Sequence, residues 1–228
     1  MPNAVYMPKR TFIVTKVNNN YLVRGNQPLN PDGSFAYDAI GKKLKSLVGG
    51  NFDLKNYKLI DVSLIDNNPV SEGGDLALEF AGYGMSQADF NTNFPFPAAW
   101  PPYFRGLAVT KQWQTSVNGN PGSIIWYPVQ GCTDNGNCES VEPAQFNFNG
   151  TVDMLSNLLS TESNAVIYIH CEHGHDRTSA LTAGYMMKYM KMSLEDVLTL
   201  GPPKGAKAFK HDWEVNYEAL VKWYATQL

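Results

Sequence analysis

The run His170-Cys171-Glu172-His173-Gly174-His175-Asp176-Arg177-Thr178 sets a thiol and a guanidinium five residues apart, directly after the most apolar β-prone stretch of the chain. With three cysteines and four arginines in 228 residues, a Cys-x5-Arg pair arises by chance with a probability of about 0.05; requiring a glycine three residues after the cysteine lowers this to roughly 0.004. The spacing has a chemical reason. A tight loop between a strand and a helix can turn the backbone N–H groups from Glu172 to Arg177 towards one point. The helix N-terminus adds partial positive charge there, which makes an anion site. Gly174 would supply a backbone conformation closed to other residues. Arg177 offers a planar fork that matches two phosphate oxygens. Cys171 sits at the base of the same positive field, which favours the thiolate. A thiolate beneath a bound phosphate is poised for in-line attack on phosphorus, and the Thr178 hydroxyl can donate to the sulfur when it later departs.

The remaining loop residues divide by setting. His170, still on the strand, is expected to be buried, to hydrogen-bond backbone and to orient the loop. His173 and His175 serve either as solvent-facing loop residues or as substrate contacts, with a charge that depends on pH. With Glu172, Gly174, Asp176 and Thr178 they make up the expected substrate-binding set. His170, Cys171, His173 and His175 also invite a metal reading. Neighbours alternating in a tight loop do not converge tetrahedrally, however, and typical zinc spacings leave longer gaps, so neither a metal nor a cofactor is expected.

These groups must be positioned by a scaffold. Ala165 to His170 is β-branched and nearly all apolar, as a central parallel strand should be. Arg177 to Met190 reads as the helix that follows it. Upstream, Thr11–Thr15 and Tyr21–Arg24 are short strand candidates and Lys58–Ser63 a buried strand. Between them a helix capped by Ser34 would bury Phe35, Ile40, Leu44 and Leu47 and stop at Gly49-Gly50. Ser123–Val129 is a further strand and roughly 149–160 a helix burying Val152, Leu155, Leu158 and Leu159. Ser193 with Asp196 caps another helix. A last one, from about 212, carries Trp213, Tyr217, Leu220, Val221 and Tyr224 on one face, a core pattern. Alternating strands and helices predict an α/β fold with a mainly parallel sheet flanked by helices. From Asn67 to about Ser123 the pattern dissolves. The expectation is a single domain over 1–228 with an insertion, lid or surface elaboration at about 67–123.

The loop HCEHGHDRT resembles the active-site loop of the cysteine-dependent protein tyrosine and dual-specificity phosphatase superfamily, whose signature is H-C-x5-R-S/T. Tyr21–Pro28 is similar to the early strand-and-turn of small family members, Ile125–Val129 to the strand leading to their general-acid loop, and Met192–Val197 to the helix after the active-site loop. The resemblance implies a metal-independent phosphate monoester hydrolase with a cysteinyl-phosphate intermediate. Its partner would be a phosphorylated substrate: a lipid head group, an inositol phosphate or a phosphoprotein. Within the loop, His170-Cys171-Glu172 is similar to bacterial phytase-like members, and Asp176-Arg177-Thr178 to myotubularins and bacterial lipid-phosphatase relatives. Histidines at 173 and 175 stand where lipid phosphatases often carry lysines.

The leaving oxygen then needs a proton from a carboxylic acid on a separate loop. The family places that acid after the strand matched by residues 124–129. Asp134 is the first candidate, although Asp134-Asn135-Gly136 is also an ordinary turn sequence. Glu139, four residues before Pro143, and Asp176 within the loop are the alternatives. Cys132 and Cys138 either pair across the candidate acid loop or stay as thiols. Lys204, Lys207, Lys210 and His211 form a local basic patch that would attract a polyanion or simply be solvated. Two further readings stay open: a phosphate-binding module without turnover, and thiol redox chemistry of the arsenate-reductase kind, which needs Cys132 or Cys138 to reach Cys171.

Composition narrows the classes. A net charge of −3 speaks against a general nucleic-acid or membrane-surface protein, and 43% hydrophobic content is ample for a core. No apolar run is long enough to span a membrane. The N-terminal MPNAVYMPKRTF lacks the apolar core of a secretory signal, so the chain is expected in the cytosol, already processed, or exported by another route.

Overall fold

Every residue of Ala165–Cys171 is buried, so this strand needs cover on both faces. In the computed structural model, which describes residues 1–67, 72–94, 111–129, 148–200 and 215–228, that need is met by a six-stranded sheet flanked by helices. The strands are β1 (Phe12–Val17), β2 (Asn20–Asn26), β3 (Lys58–Ser63), β4 (Lys111–Val117), β5 (Asn120–Trp126) and β6 (Ala165–Cys171). Their order is β1-β2-β6-β3-β5-β4. The inner four run parallel, and β1 and β4 close the edges as antiparallel hairpin partners. The central position of β6 follows from its composition, since only a strand without a solvent face tolerates an uninterrupted apolar run. Among the described residues no helix is long and apolar enough to cross a membrane.

The helices are α1 (Tyr37–Val48), α2 (Gly73–Gly82), α3 (Gln87–Asn93), α4 (Phe148–Thr161), α5 (Asp176–Met190), α6 (Leu194–Leu200) and α7 (Val215–Ala225). α5 packs against α4 and α7. There Phe148 meets the Tyr224 ring edge-on, and a side chain at Gly184 would lie 2.8 Å from Phe148. Leu220, Val221 and Tyr224 are buried, the core role their spacing predicts. Ser193 and Asp196 cap α6 reciprocally, the Ser193 hydroxyl accepting from the Asp196 amide at 3.0 Å while donating to its carboxylate at 2.8 Å.

Two expectations for the first helix are corrected. α1 begins at Tyr37 behind Ala36, with no side-chain cap, because Ser34 is spent in a turn with Asp32: its amide and hydroxyl both donate to the Asp32 carboxylate. Leu47 shares the face of Ile40 but stands in the last turn and is 39% exposed; the buried residues of α1 are Tyr37, Ile40 and Leu44. The stop at Gly49 and Gly50 stands, both at positive φ.

Within 67–123 the described residues are ordered. β4 and most of β5 complete the sheet, while α2 and α3 bury Phe80, Phe90 and Phe94 against Trp126. Trp126 anchors this side through Nε1, which donates to the Ile65 carbonyl at 2.7 Å. α2 thereby comes to rest beside the C-terminal ends of β3 and β6.

Candidate active site

β6 ends on Cys171 and α5 starts at Asp176, so the loop sits at the C-terminal edge of a central parallel strand, where open α/β sheets place their ligands. His175 precedes α5 without a side-chain capping bond, and the first helical bond runs from the Ser179 amide to the His175 carbonyl. The N–H groups of the first turn therefore have no intrahelical acceptor, and they face the loop together with the positive end of the helix. Cys171 is 2% exposed at the base. Among the described residues it is a free cysteine.

The loop is held against β2. Gln27 donates its amide to the Glu172 carbonyl at 3.1 Å, and the buried Arg24 donates through Nη2 to the Gly174 carbonyl at 2.5 Å and to Ser179 Oγ at 2.8 Å. Burial lowers Arg24 to about 10, still a cation at neutral pH. Arg10, at the end of a short 3-10 turn (Pro8–Arg10), donates to the His173 carbonyl from the other side. Gly174 is where the backbones touch. Its φ is +68°, and a Cβ there would lie 2.4 Å from the Gly25 carbonyl oxygen and 3.0 Å from the Asn26 nitrogen. The contact is backbone on backbone, so no side chain can move to relieve it.

Gly174→Ala is accordingly expected to cost the left-handed penalty of about 1–2 kcal/mol and to displace the loop as well. Thermal melting should shift downwards, and phosphate release should fall further than the stability loss alone explains. Unchanged melting and turnover would mean that the loop does not need this approach.

Arg177 is fixed from outside the loop. Nη1 donates to Glu72 Oε2 at 2.7 Å and Nη2 donates to Glu72 Oε1, while Leu64 O lies 3.5 Å from Nη1. Burial alone would raise the Glu72 carboxyl, but the two Arg177 N–H groups outweigh it and hold the group below its ordinary range. The same pairing raises Arg177 well above its ordinary value against the burial that would lower it. A guanidinium has five N–H donors. Glu72 takes one from each terminal nitrogen and Leu64 the second on Nη1, which leaves Nε–H and one Nη2–H as a side-on fork.

The other expected site residues are placed as follows. Thr178 is buried, and among the described residues its hydroxyl has no hydrogen-bond partner. Glu172 is half-buried, and burial, with Glu72 nearby, pushes its carboxyl up. His173 is exposed, 3.9 Å from Glu172, and its ring centroid lies 6.4 Å from that of the half-buried His175. Asp176 opens α5 and is half-buried. His170 is fully buried, its Nδ1 3.3 Å from the Cys171 carbonyl oxygen. Asp134 and Glu139, Cys132 and Cys138, and the basic patch of Lys204, Lys207, Lys210 and His211 lie outside the described residues.

Several groups at the site were not singled out from the sequence. Glu72 is one, and Tyr217 of α7 is another, its phenol pushed up to about 12 by burial, near Arg177 and Cys171. Behind the loop, Asp61, Glu79 and His170 bring ligand-type atoms within 4.8 Å of one another, the only such group of metal-ligand types among the described residues. Here the imidazole and the carboxylates face each other. The available signal was a charge inside an apolar run: Asp61 in KLIDVS and Glu79 in LALEFAG.

Residues 107–200, which include the loop and its helix, match the family model of the dual specificity phosphatase catalytic domain. Over that stretch the chain is similar to this phosphatase family. The match ends with α6, and strands β1 to β3 lie outside it. No curated protein matches this chain. Among solved structures, a protein tyrosine phosphatase of Trypanosoma brucei aligns at 13% identity and a TM-score of 0.48, over 95% of this chain and 72% of that one. The PTP-like myo-inositol phosphatase of Mitsuokella multacida, solved with myo-inositol-(1,3,4,5)-tetrakisphosphate, aligns at 13% identity and a TM-score of 0.40, over 90% of this chain and 37% of that one.

Proposed function

We infer that this phosphatase hydrolyses phosphate monoesters in two steps through a cysteinyl phosphate. The observation that carries the reading is the placement of Cys171 at the end of β6, beneath an uncapped helix N-terminus, with the remaining N–H fork of Arg177 available above it. In the first step the Cys171 sulfur forms a bond to phosphorus as the ester oxygen leaves. Arg177 and the loop amides take up the charge on the equatorial oxygens. A carboxylic acid protonates the leaving oxygen: Asp134 is the proposed donor, with Glu139 and Asp176 as alternatives. In the second step the same carboxylate removes a proton from water, which attacks phosphorus. Phosphate is released and the thiolate restored, with the buried Thr178 hydroxyl available to the departing sulfur. Glu172, His173, Gly174, His175 and Asp176 shape the phosphate site, and no metal or cofactor enters any step.

The substrate is a phosphoinositide or inositol phosphate, or a phosphotyrosyl protein. Arg10 and the two loop histidines bring N–H donors that suit a multiply charged ester, while the half-buried Glu172 limits their effect. The test is phosphate release by wild type and Cys171→Ser, with chelator present, from phosphotyrosyl and phosphothreonyl peptides, each phosphoinositide and inositol hexakisphosphate. The best substrate assigns the subclass. Ester binding without turnover on any member would instead indicate a phosphate-binding module.

A further inference from the structure

His170 precedes Cys171, yet its ring turns into the sheet face covered by α2. Nδ1 lies 3.3 Å from the Cys171 carbonyl oxygen, and Nε2 lies 3.0 Å from Asp61 Oδ1 and 3.5 Å from Glu79 Oε2. Nε2 meets the carboxylates as a close charge contact and not as an aligned hydrogen bond. Carbonyl and carboxylate oxygens only accept, so both ring nitrogens face these neighbours favourably only when each carries a proton. All three side chains are fully buried. An imidazolium with two ionised carboxylates would leave a net negative charge in the interior, directly behind a loop built to hold anions. One proton on either carboxylate removes it, as two acids confined together titrate apart.

Among the described residues, the groups that face the cluster supply no other cation. Just after β2, the Gln27 side-chain amide donates to Glu79 Oε1. From β3 come Asp61 and the Ser63 hydroxyl, and from β6 Tyr168 and the Cys171 carbonyl. Tyr83, just after α2, faces both carboxylates with Tyr37 of α1 behind it, and burial raises the Tyr83 and Tyr168 phenols well above their ordinary value, so both are neutral. His170 is the cation among them.

We propose that Asp61, Glu79 and His170 form a positioning cluster, in which a fixed imidazolium and one proton on either carboxylate keep the cluster behind the loop neutral and so permit tight binding of a dianion. Asp61 and Glu79 act through His170 and touch no substrate. Losing the carboxylate-bound proton to solvent leaves one buried negative charge behind Cys171 and weakens oxyanion binding. Burial is the main cause that pushes Glu79 up to about 7, and it raises Asp61 as well, so the loss falls near neutral pH. The inference rests on the oxyanion-site reading of the loop.

The test measures sulfate affinity of the Cys171→Ser chain from pH 5.5 to 8.5, with and without Glu79→Gln. Sulfate stays a dianion throughout, and the serine removes the thiol's own ionisation. Affinity should fall about tenfold across a step near pH 7, the scale of one added charge acting on a dianion through protein. Glu79→Gln should remove that step and keep the low-pH affinity. His173 and His175 are present in both proteins, so the difference reports the cluster alone. The same step in both proteins, or none in the parent, overturns the proposal. Nitrogen NMR of ring-labelled histidine in the wild type judges it separately, should Glu79→Gln fail to fold or sulfate bind at no pH. Both His170 nitrogens should be protonated at neutral pH, and a neutral ring overturns the proposal. So does a divalent ion found at one per chain and lost in Glu79→Gln, since the three groups would then be its ligands. A sulfate site absent at every pH, beside an imidazolium His170, would discredit the oxyanion reading and not the cluster.

Discussion

Cys171→Ser lowers turnover by on the order of 10⁴-fold or more while phosphate esters continue to bind. A serine hydroxyl at neutral pH is almost wholly protonated and a far weaker nucleophile than a thiolate. The amides of the first turn of α5 and the Arg177 fork do not depend on the sulfur, so the anion site survives the exchange. Sulfur and oxygen differ little in volume, and Cys171 is 2% exposed at the end of a buried strand, so the fold is expected to tolerate the change. Single-turnover assays should show no burst of alcohol product, and equilibrium titration should give an affinity within a few-fold of the wild-type KM. Turnover retained within tenfold would remove Cys171 from the chemistry. The redox alternative is addressed by Cys132→Ser/Cys138→Ser, which should hydrolyse at the wild-type rate if neither thiol is needed.

The parts of this architecture that were legible in sequence are those encoded locally. The Cys171–Arg177 loop is one continuous stretch bounded by the most apolar strand, and β3 and β6 announce themselves because a central parallel strand has no polar face. The partners of the loop are not local. Glu72 lies 105 residues from Arg177 and follows a stretch without periodicity; only the docking of α2 beside β3 brings the two together. Asp61 and Glu79 left a visible trace, a charge inside an apolar run, but such a trace says only that a partner must exist. That the partner is His170 depends on the register in which Asp61 lies opposite Tyr168, and Ser63 opposite His170, on neighbouring strands. Ser34 shows the converse: a good capping residue lost its helix to a nearer acceptor, Asp32, within its own turn.

Arg177→Met is expected to cost both stability and catalysis, and Glu72 makes the two separable. Glu72 is buried, its side chain 9% exposed, and both its oxygens rest on Arg177. Removing the guanidinium strands that carboxylate, at a cost of about 3–5 kcal/mol. Glu72→Gln in the same chain removes the stranded charge, so the double variant should recover most of the lost stability. Turnover should not recover. The Nε–H and Nη2–H fork is gone in both variants, and losing charge-assisted donors at the transition state costs on the order of 10²–10³-fold or more. Glu72→Gln alone should leave phosphate release detectable but reduced, because the fork is present and merely less well aimed. The stability difference between wild type and Glu72→Gln has a defined pH dependence. The folded-state value of Glu72 is depressed, so its contribution is full above the unfolded value of about 4.3 and is lost as pH falls through the folded one. Urea unfolding at neutral and acid pH, read beside kcat/KM for all four proteins, measures each term. Recovery of turnover in the double variant would show that Arg177 serves the fold and not the phosphate.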